Sequence, residues 1–86
     1  MRNKTNSELL VAIGNSVKKH RKAQNLSQEQ LAESSGLDRT YISGVERYVR
    51  NLTFNSLSSI IKALNLSEKS FFETVIEELQ EVENEV

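Results

Sequence analysis

The segment Gln28–Arg47, QEQLAESSGLDRTYISGVER, constrains the fold more than any other part of the chain. Ser27 precedes it, and Ser27 and Gln30 have the spacing of a capping box, which predicts a helix that starts at Gln28. Gly36 follows this helix, and glycine reaches a positive φ without steric cost, so the chain can turn sharply there. The segment therefore predicts two short helices joined by a tight turn.

The second of these helices has two unlike faces. Asp38 is a suitable N-cap for it, and Ile42 and Val45 lie three residues apart on its apolar side. At about 100° per residue, the opposite side carries only small, hydrogen-bonding and cationic residues. These are Thr40, Ser43, Gly44 and Arg47, flanked by Arg39 and Tyr41. Gly44 costs roughly 1 kcal/mol relative to alanine in a helix interior, which favours a close approach of another molecule to an exposed backbone.

Two short helices, a glycine turn and apolar residues at these offsets describe a helix-turn-helix, a motif that sets its second helix in the major groove of DNA. A small helical bundle with no nucleic-acid role is the alternative for such a pair. The outer face favours DNA binding over the plain bundle, because it carries no aliphatic side chain.

Hydrophobic periodicity predicts three further helices. Ser7 and Ser67 are candidate N-caps for the first and the fifth helix, and Asn65 is a candidate left-handed C-cap for the fourth. The five predicted helices span about Glu8–Ala23, Gln28–Ser35, Arg39–Arg47, Thr53–Leu64 and residues 68–82. The predicted fold class is all-α, a single five-helix domain over residues 1–86, because a chain of this length has no room for a second domain.

One apolar core should join these helices, and the fifth helix carries more apolar surface than that core needs. The fourth helix has an apolar stripe that begins at Phe54. The predicted core is Leu10, Ile13, Val17, Leu31, Ala32, Leu37, Ile42, Val45, Leu57, Ile60, Ile61, Leu64, Phe71 and Val75. The stripe of the fifth helix is about 140° wide and continues beyond the core to Val82. Its far edge, with one residue before the helix, predicts a homodimer interface made by Leu66, Phe72, Ile76 and Leu79.

Composition excludes several classes of protein. The chain has no cysteine, so it has no disulfide, no thiolate nucleophile and no cysteine zinc site. His20 is the single histidine; it lacks partners for a metal site, and we expect it at the surface. We therefore expect no metal, no cofactor and no enzymatic activity. Because there is no signal peptide and no apolar run of about 18 residues, we expect a cytoplasmic protein with no membrane partner.

The net charge of −1 averages two unlike parts of the chain. Residues 1–66 hold ten Lys/Arg and five Asp/Glu, a balance of +5, whereas residues 67–86 hold one lysine and seven glutamates, a balance of −6. A basic body can meet phosphate while the acidic end points away. The basic run from Lys18 to Lys22 is either a solvated helix end that suits the macrodipole or a phosphate-facing patch, and both can hold.

The helix-turn-helix resembles the DNA-binding unit of the Cro/repressor family, whose fold is lambda-repressor-like. In that family an arginine at the position of Arg21 pairs with a glutamate at the end of the recognition helix, here Glu46. The resemblance thus implies a structural ion pair between the first and third helices. It also implies that Gln28, at the start of the second helix, touches a DNA phosphate.

The stretch LDRTYISGVERYVRNLT, residues 37–53, is similar to the controller proteins of restriction–modification systems. Members share Asp-Arg-Thr-Tyr-Ile-Ser-Gly and a following Arg-Asn-Leu-Thr, and the resemblance covers about residues 10–80. It implies base contacts by Arg39, Thr40, Tyr41 and Ser43, and backbone contacts by Arg47, Arg50 and Asn51 beside Gln28. Many relatives have glycine or asparagine after the recognition helix, where this chain has Tyr48 and Val49, so the sequence leaves the conformation of that loop open.

The resemblance implies a homodimer that binds a pseudo-palindromic operator of double-stranded DNA. The operator would lie upstream of the protein's own gene and of an endonuclease gene, with activation followed by repression. Whether two dimers share an operator, and whether RNA polymerase is a partner, stays open at this point. A phage-type repressor and an antitoxin-like DNA-binding protein are the alternatives.

Overall fold

The structure, a computed structural model, describes residues 7–84 and consists of five α-helices within that range. They are α1 (Glu8–Ala23), α2 (Gln28–Ser35), α3 (Arg39–Glu46), α4 (Phe54–Ala63) and α5 (Glu68–Asn84). The predicted all-α, five-helix fold is confirmed, with the first four helices within one residue of their expected bounds and α5 two residues longer than expected. Over the same residues, no helix has the length and apolar character needed to cross a membrane.

Serine or threonine side chains cap four of the five helices at their N-termini. Each side chain accepts a hydrogen bond from a backbone N–H in the first turn: Ser7 from Leu10, Ser27 from Gln30, Thr53 from Ser56 and Ser67 from Ser70. The predicted capping box is complete, since Gln30 Oε1 accepts from Ser27 N at 2.8 Å. Asp38 is the exception. It occupies the N-cap position of α3, but its carboxylate makes no capping hydrogen bond, so that part of the prediction is wrong.

The first four helices all end in the same way. One residue adopts a left-handed conformation, and the N–H of the next residue donates to a carbonyl five positions back, as in a Schellman motif. The left-handed residues are Asn25, Gly36, Tyr48 and Asn65, with φ of 58°, 75°, 67° and 59°. The donors that follow them are Leu26, Leu37, Val49 and Leu66, all apolar. The positive φ expected for Gly36 and Asn65 is therefore confirmed, and the loop at Tyr48 and Val49 closes by the same rule.

Tyr48 holds a conformation that costs a side-chain-bearing residue about 1–2 kcal/mol, and its contacts with α1 explain why. Its hydroxyl donates to Asn15 Oδ1. Its ring lies on Gly14, where an added Cβ would stand 2.8 Å from the tyrosine Cδ1 and 2.5 Å from the carbonyl oxygen of Val45. Gly14 thus lets α3 and the Tyr48 ring approach α1 closely, and this contact offsets the strained backbone.

The helices enclose one core, with α1 against α3 and α5, and α2 against α3 and α4. The buried apolar residues are Ala12, Ile13, Val17, Leu31, Ala32, Ile42, Val45, Leu57, Ile60, Ile61, Leu64, Phe71 and Val75. Twelve of the fourteen predicted core residues are among them, while Leu10 and Leu37 are half-buried at the edge and Ala12 was not predicted.

Phe54 begins the predicted apolar stripe of α4 but lies outside the core, with 90% of the residue exposed. It is the first residue of the helix, and helical side chains tilt toward the N-terminus. Its ring therefore points past the end of the core, whereas Leu57, one turn later, is buried.

Most of the basic run at the end of α1 serves contacts within the chain. Lys19 Nζ lies 2.9 Å from Glu78 Oε2, and this hydrogen bond and charge raise the pKa of Lys19. His20 Nε2 and Thr74 Oγ1 are 2.9 Å apart and hydrogen-bonded, and the imidazole ring centroid lies 6.1 Å from that of Phe71. The expectation that His20 is a surface residue is thus wrong: it is half-buried under α5, and burial lowers its pKa.

Gly14→Ala should destabilise the fold by about 1–3 kcal/mol, because the added methyl meets a backbone carbonyl that cannot move independently of α3. Urea unfolding followed by circular dichroism measures this change. The control is Gly44→Ala, the other helix-interior glycine, where the nearest atom to an added Cβ is a side-chain carbon at 3.2 Å. An unfolding midpoint of Gly14→Ala equal to that of the control would contradict the assigned contact.

Candidate nucleic-acid interface

A buried ion pair sets the position of α3. Arg21 Nε donates to Glu46 Oε2 at 2.7 Å and Arg21 Nη2 donates to Glu46 Oε1 at 3.0 Å, so the guanidinium grips the carboxylate with two parallel bonds. The two residues are 8% and 6% exposed. The hydrogen bond to Glu46 raises the pKa of Arg21. The structure thus contains the pair that the family resemblance implied, and it ties α1 to the last residue of α3.

The same two side chains reach a third helix. Arg21 Nη1 donates to the carbonyl oxygen of Leu26 at 2.8 Å, in the turn between α1 and α2. Gln28 Nε2, from the first residue of α2, donates to Glu46 Oε1 at 3.0 Å. One guanidinium–carboxylate–amide network therefore sets α1, α2 and α3 relative to each other.

Gln28 was expected to touch a phosphate, and the structure gives its side chain a different neighbour. The residue is half-buried, and its amide nitrogen is bonded to Glu46.

The outer face of α3 carries the residues singled out from the sequence. Arg39, Thr40 and Arg47 are exposed, whereas Tyr41 and Ser43 are half-buried. The inner face is closed, because Ile42 and Val45 are fully buried. The helix has only eight residues, so these polar groups are presented together over about two turns.

The loop after α3 folds back along the helix. The Arg50 guanidinium carbon lies 5.2 Å from the centre of the Tyr41 ring, and the Tyr41 hydroxyl donates to the Asn51 carbonyl oxygen at 3.2 Å. Arg50 and Asn51, two of the residues predicted to contact the DNA backbone, are exposed, and both contact Tyr41 of α3.

Gly44 was expected to lie on an exposed face of α3, but it is buried. A Cβ at this position would lie 3.2 Å from Arg50 Cβ and 3.7 Å from Val49 Cγ2. The close approach that a glycine permits here is made by the chain's own loop.

The predicted dimer surface divides into exposed and covered residues. Phe72 and Ile76 are 39% and 56% exposed, whereas Leu66 and Leu79 are half-buried against the core. The Phe72 ring stands edge-on to Phe71, with centroids 5.5 Å apart. A groove between α4 and α5 joins Phe72 to the exposed Phe54, so the apolar surface extends further toward α4 than the sequence analysis indicated.

Sequence reasoning missed the contact of Gly14 with Tyr48 and the hydrogen bond from Tyr48 to Asn15. Two signals pointed to it: a glycine in the middle of a helix, and a tyrosine where relatives place glycine or asparagine. Over residues 7–84, no cluster of His, Asp or Glu has the arrangement of a metal site.

Residues 17–71 match the family model described as helix-turn-helix. The chain is 54% identical over 55 residues to the control protein C.SmaI of Serratia marcescens, covering 64% of this chain and 66% of that protein. It is 34% identical over 73 residues to the control protein C.MunI of a Mycoplasma species, covering 84% of this chain and 99% of that protein.

The chain is also similar to known crystal structures. The wild-type restriction–modification controller protein C.Esp1396I matches with a TM-score of 0.83 at 49% identity, over 86% of this chain and 97% of that chain. C.Esp1396I is also known as a tetramer in complex with its natural 35-base-pair operator, with the same TM-score. The chain therefore belongs to the helix-turn-helix family of DNA-binding proteins and, within it, to the controller proteins of restriction–modification systems.

Removing one partner of the buried pair should cost about 3–5 kcal/mol of folding free energy, because the other charge is left uncompensated. Arg21→Met and Glu46→Leu are the single variants, and the double variant should lose less than the sum of the two. Urea unfolding of all four proteins gives the coupling energy. Single variants that unfold at the wild-type midpoint would show that the network does not hold α3.

Proposed function

We propose that this chain is a sequence-specific DNA-binding transcriptional regulator that controls its own gene and a restriction endonuclease gene. The observation that carries the proposal is the exposed polar and cationic face of α3, held in place by the Arg21–Glu46 pair. A regulator of this kind works in the cytoplasm and catalyses no reaction.

Arg39 is the main candidate for reading sequence. It is the first residue of α3 and exposed, so its guanidinium can donate two hydrogen bonds to O6 and N7 of a guanine in the major groove. Thr40, Tyr41 and Ser43 then divide between neighbouring base edges and phosphates.

Phosphate contacts would fix the register of α3 on the duplex. Arg47 ends the helix, and Arg50 and Asn51 follow it in the loop. The start of α2 at Gln28 supplies backbone N–H groups, which suit a phosphate. Such contacts add affinity for any sequence, whereas the base contacts add specificity.

The charge distribution supports this orientation. α5 carries most of the glutamates, and it packs on α1, apart from the α2–α3 unit. An acidic surface close to the groove would be repelled by phosphate, so the helix-turn-helix is the part of the chain suited to approach DNA.

One short recognition helix contacts too few base pairs to select a site in a genome, so we propose a homodimer on a pseudo-palindromic operator. Two-fold pairing would place the half-sites about one helical turn, roughly 34 Å, apart. The apolar surface suited to the second copy is Leu66, Phe72, Ile76 and Leu79 on and before α5, extended by Phe54. This keeps α5 as part of a single domain that also dimerises.

Two dimers per operator would give the regulator two outcomes. The C.Esp1396I tetramer on its operator supports such an arrangement. One dimer at the stronger site would activate transcription through RNA polymerase, and a second dimer at a weaker site would repress it. Because assembly depends on concentration, occupancy of the second site follows accumulation of the protein.

Base reading by Arg39 is tested with Arg39→Ala on the DNA upstream of the protein's own gene. The variant should bind about 1–3 kcal/mol more weakly and lose its preference at one base position. Arg47→Ala is the matched control: it should weaken binding to all sequences alike and reduce the salt slope by about one. Fluorescence anisotropy over a panel of operator variants measures both. A wild-type protein that leaves no footprint on this DNA would contradict the proposed function.

Dimerisation through α5 is tested with Ile76→Glu, because Ile76 is 56% exposed and contributes little to its own core. The variant should keep its helical spectrum, become monomeric and lose operator binding. Leu9→Glu is the control, since Leu9 is an aliphatic residue of similar exposure, 52%, on α1. Sedimentation at micromolar concentration that finds Ile76→Glu still dimeric would place the interface elsewhere.

A further inference from the structure

Gly44 lies in the middle of α3, at a position where alanine would suit the helix better. The space beside Gly44, where another residue would have its side chain, is occupied by Arg50 of the following loop. A Cβ on Gly44 would lie 3.2 Å from Arg50 Cβ and 3.6 Å from Arg50 Nε, so the length of the arginine crosses the helix there.

The far end of the same side chain rests on Tyr41. The guanidinium carbon is 5.2 Å from the ring centroid, within the range of a cation–π contact. Tyr41 and Gly44 are three residues apart and thus neighbours on one face of the helix. The ring is itself held, since its hydroxyl donates to the Asn51 carbonyl.

We propose that Gly44 is a positioning residue for Arg50. The glycine leaves a shallow groove across α3, and the Arg50 side chain lies in this groove with its guanidinium on Tyr41. Arg50 is thereby held at the edge of the DNA-facing side in the free protein, before DNA binds. An arginine ordered in advance loses less conformational freedom on binding than one on a free loop, so affinity rises without a new contact. This inference rests on the proposed function, and it adds to it a glycine that touches no DNA.

The test is a double-mutant cycle of Gly44→Ala with Arg50→Ala on operator DNA. Gly44→Ala should lower operator affinity about two- to fivefold, the change that corresponds to an exposed cation–π contact. In the Arg50→Ala background the same substitution should have no effect. In the Arg47→Ala background, Gly44→Ala should keep its full effect on affinity, because Arg47 does not lie in the groove at Gly44.

Proton NMR of the free protein gives a second readout without DNA. The δ-methylene protons of Arg50 should be shifted upfield by the Tyr41 ring in the wild type and lose that shift in Gly44→Ala. The inference is overturned if wild-type Arg50 shows no such shift, or if Gly44→Ala binds the operator as the wild type does. It is also overturned if the loss persists without Arg50, since the added methyl would then clash with DNA directly. A wild type that binds no DNA would instead refute the proposed function, and the inference with it.

Discussion

The position of the recognition helix depends on one buried network centred on the Arg21 guanidinium. α3 has eight residues, too few to be a stable helix by itself, so its geometry must come from its neighbours. Glu46, its last residue, is held by Arg21 from α1 and by Gln28 from α2. Charged groups this deeply buried are tolerated because their hydrogen bonds are satisfied, and losing either partner exposes the full desolvation cost.

The network fixes the position of α3, and the tight loop that follows the helix fixes the residues beside it. The left-handed turn at Tyr48 brings Arg50 and Asn51 back over the helix, onto Gly44 and Tyr41. That turn is stabilised by Gly14 of α1, because the Tyr48 ring packs directly against this glycine. A glycine in α1 therefore influences which groups are presented beside α3, although it is remote from the outer face.

Local chemistry in the sequence was enough to predict the helices and their ends. N-caps such as Ser7 and the capping box at Ser27, with left-handed residues such as Gly36, act over three to five residues, so they can be found without tertiary contacts. Periodicity likewise predicted most of the core. The helix-turn-helix and its outer polar face follow from these same short-range signals.

Only the tertiary structure decided which side chains of different helices and loops contact each other. In the sequence, Lys19 and His20 look like part of a basic surface. In the structure, α5 partly covers His20, and Glu78 of α5 pairs with Lys19. Gly44 looks exposed in the sequence, but the loop after α3 covers it. Phe54 begins an apolar stripe, and the start of α4 directs its ring outward, away from the core. Composition and periodicity determine which residues share a helix face; the contacts of that face depend on packing between segments far apart in sequence, which no local signal encodes.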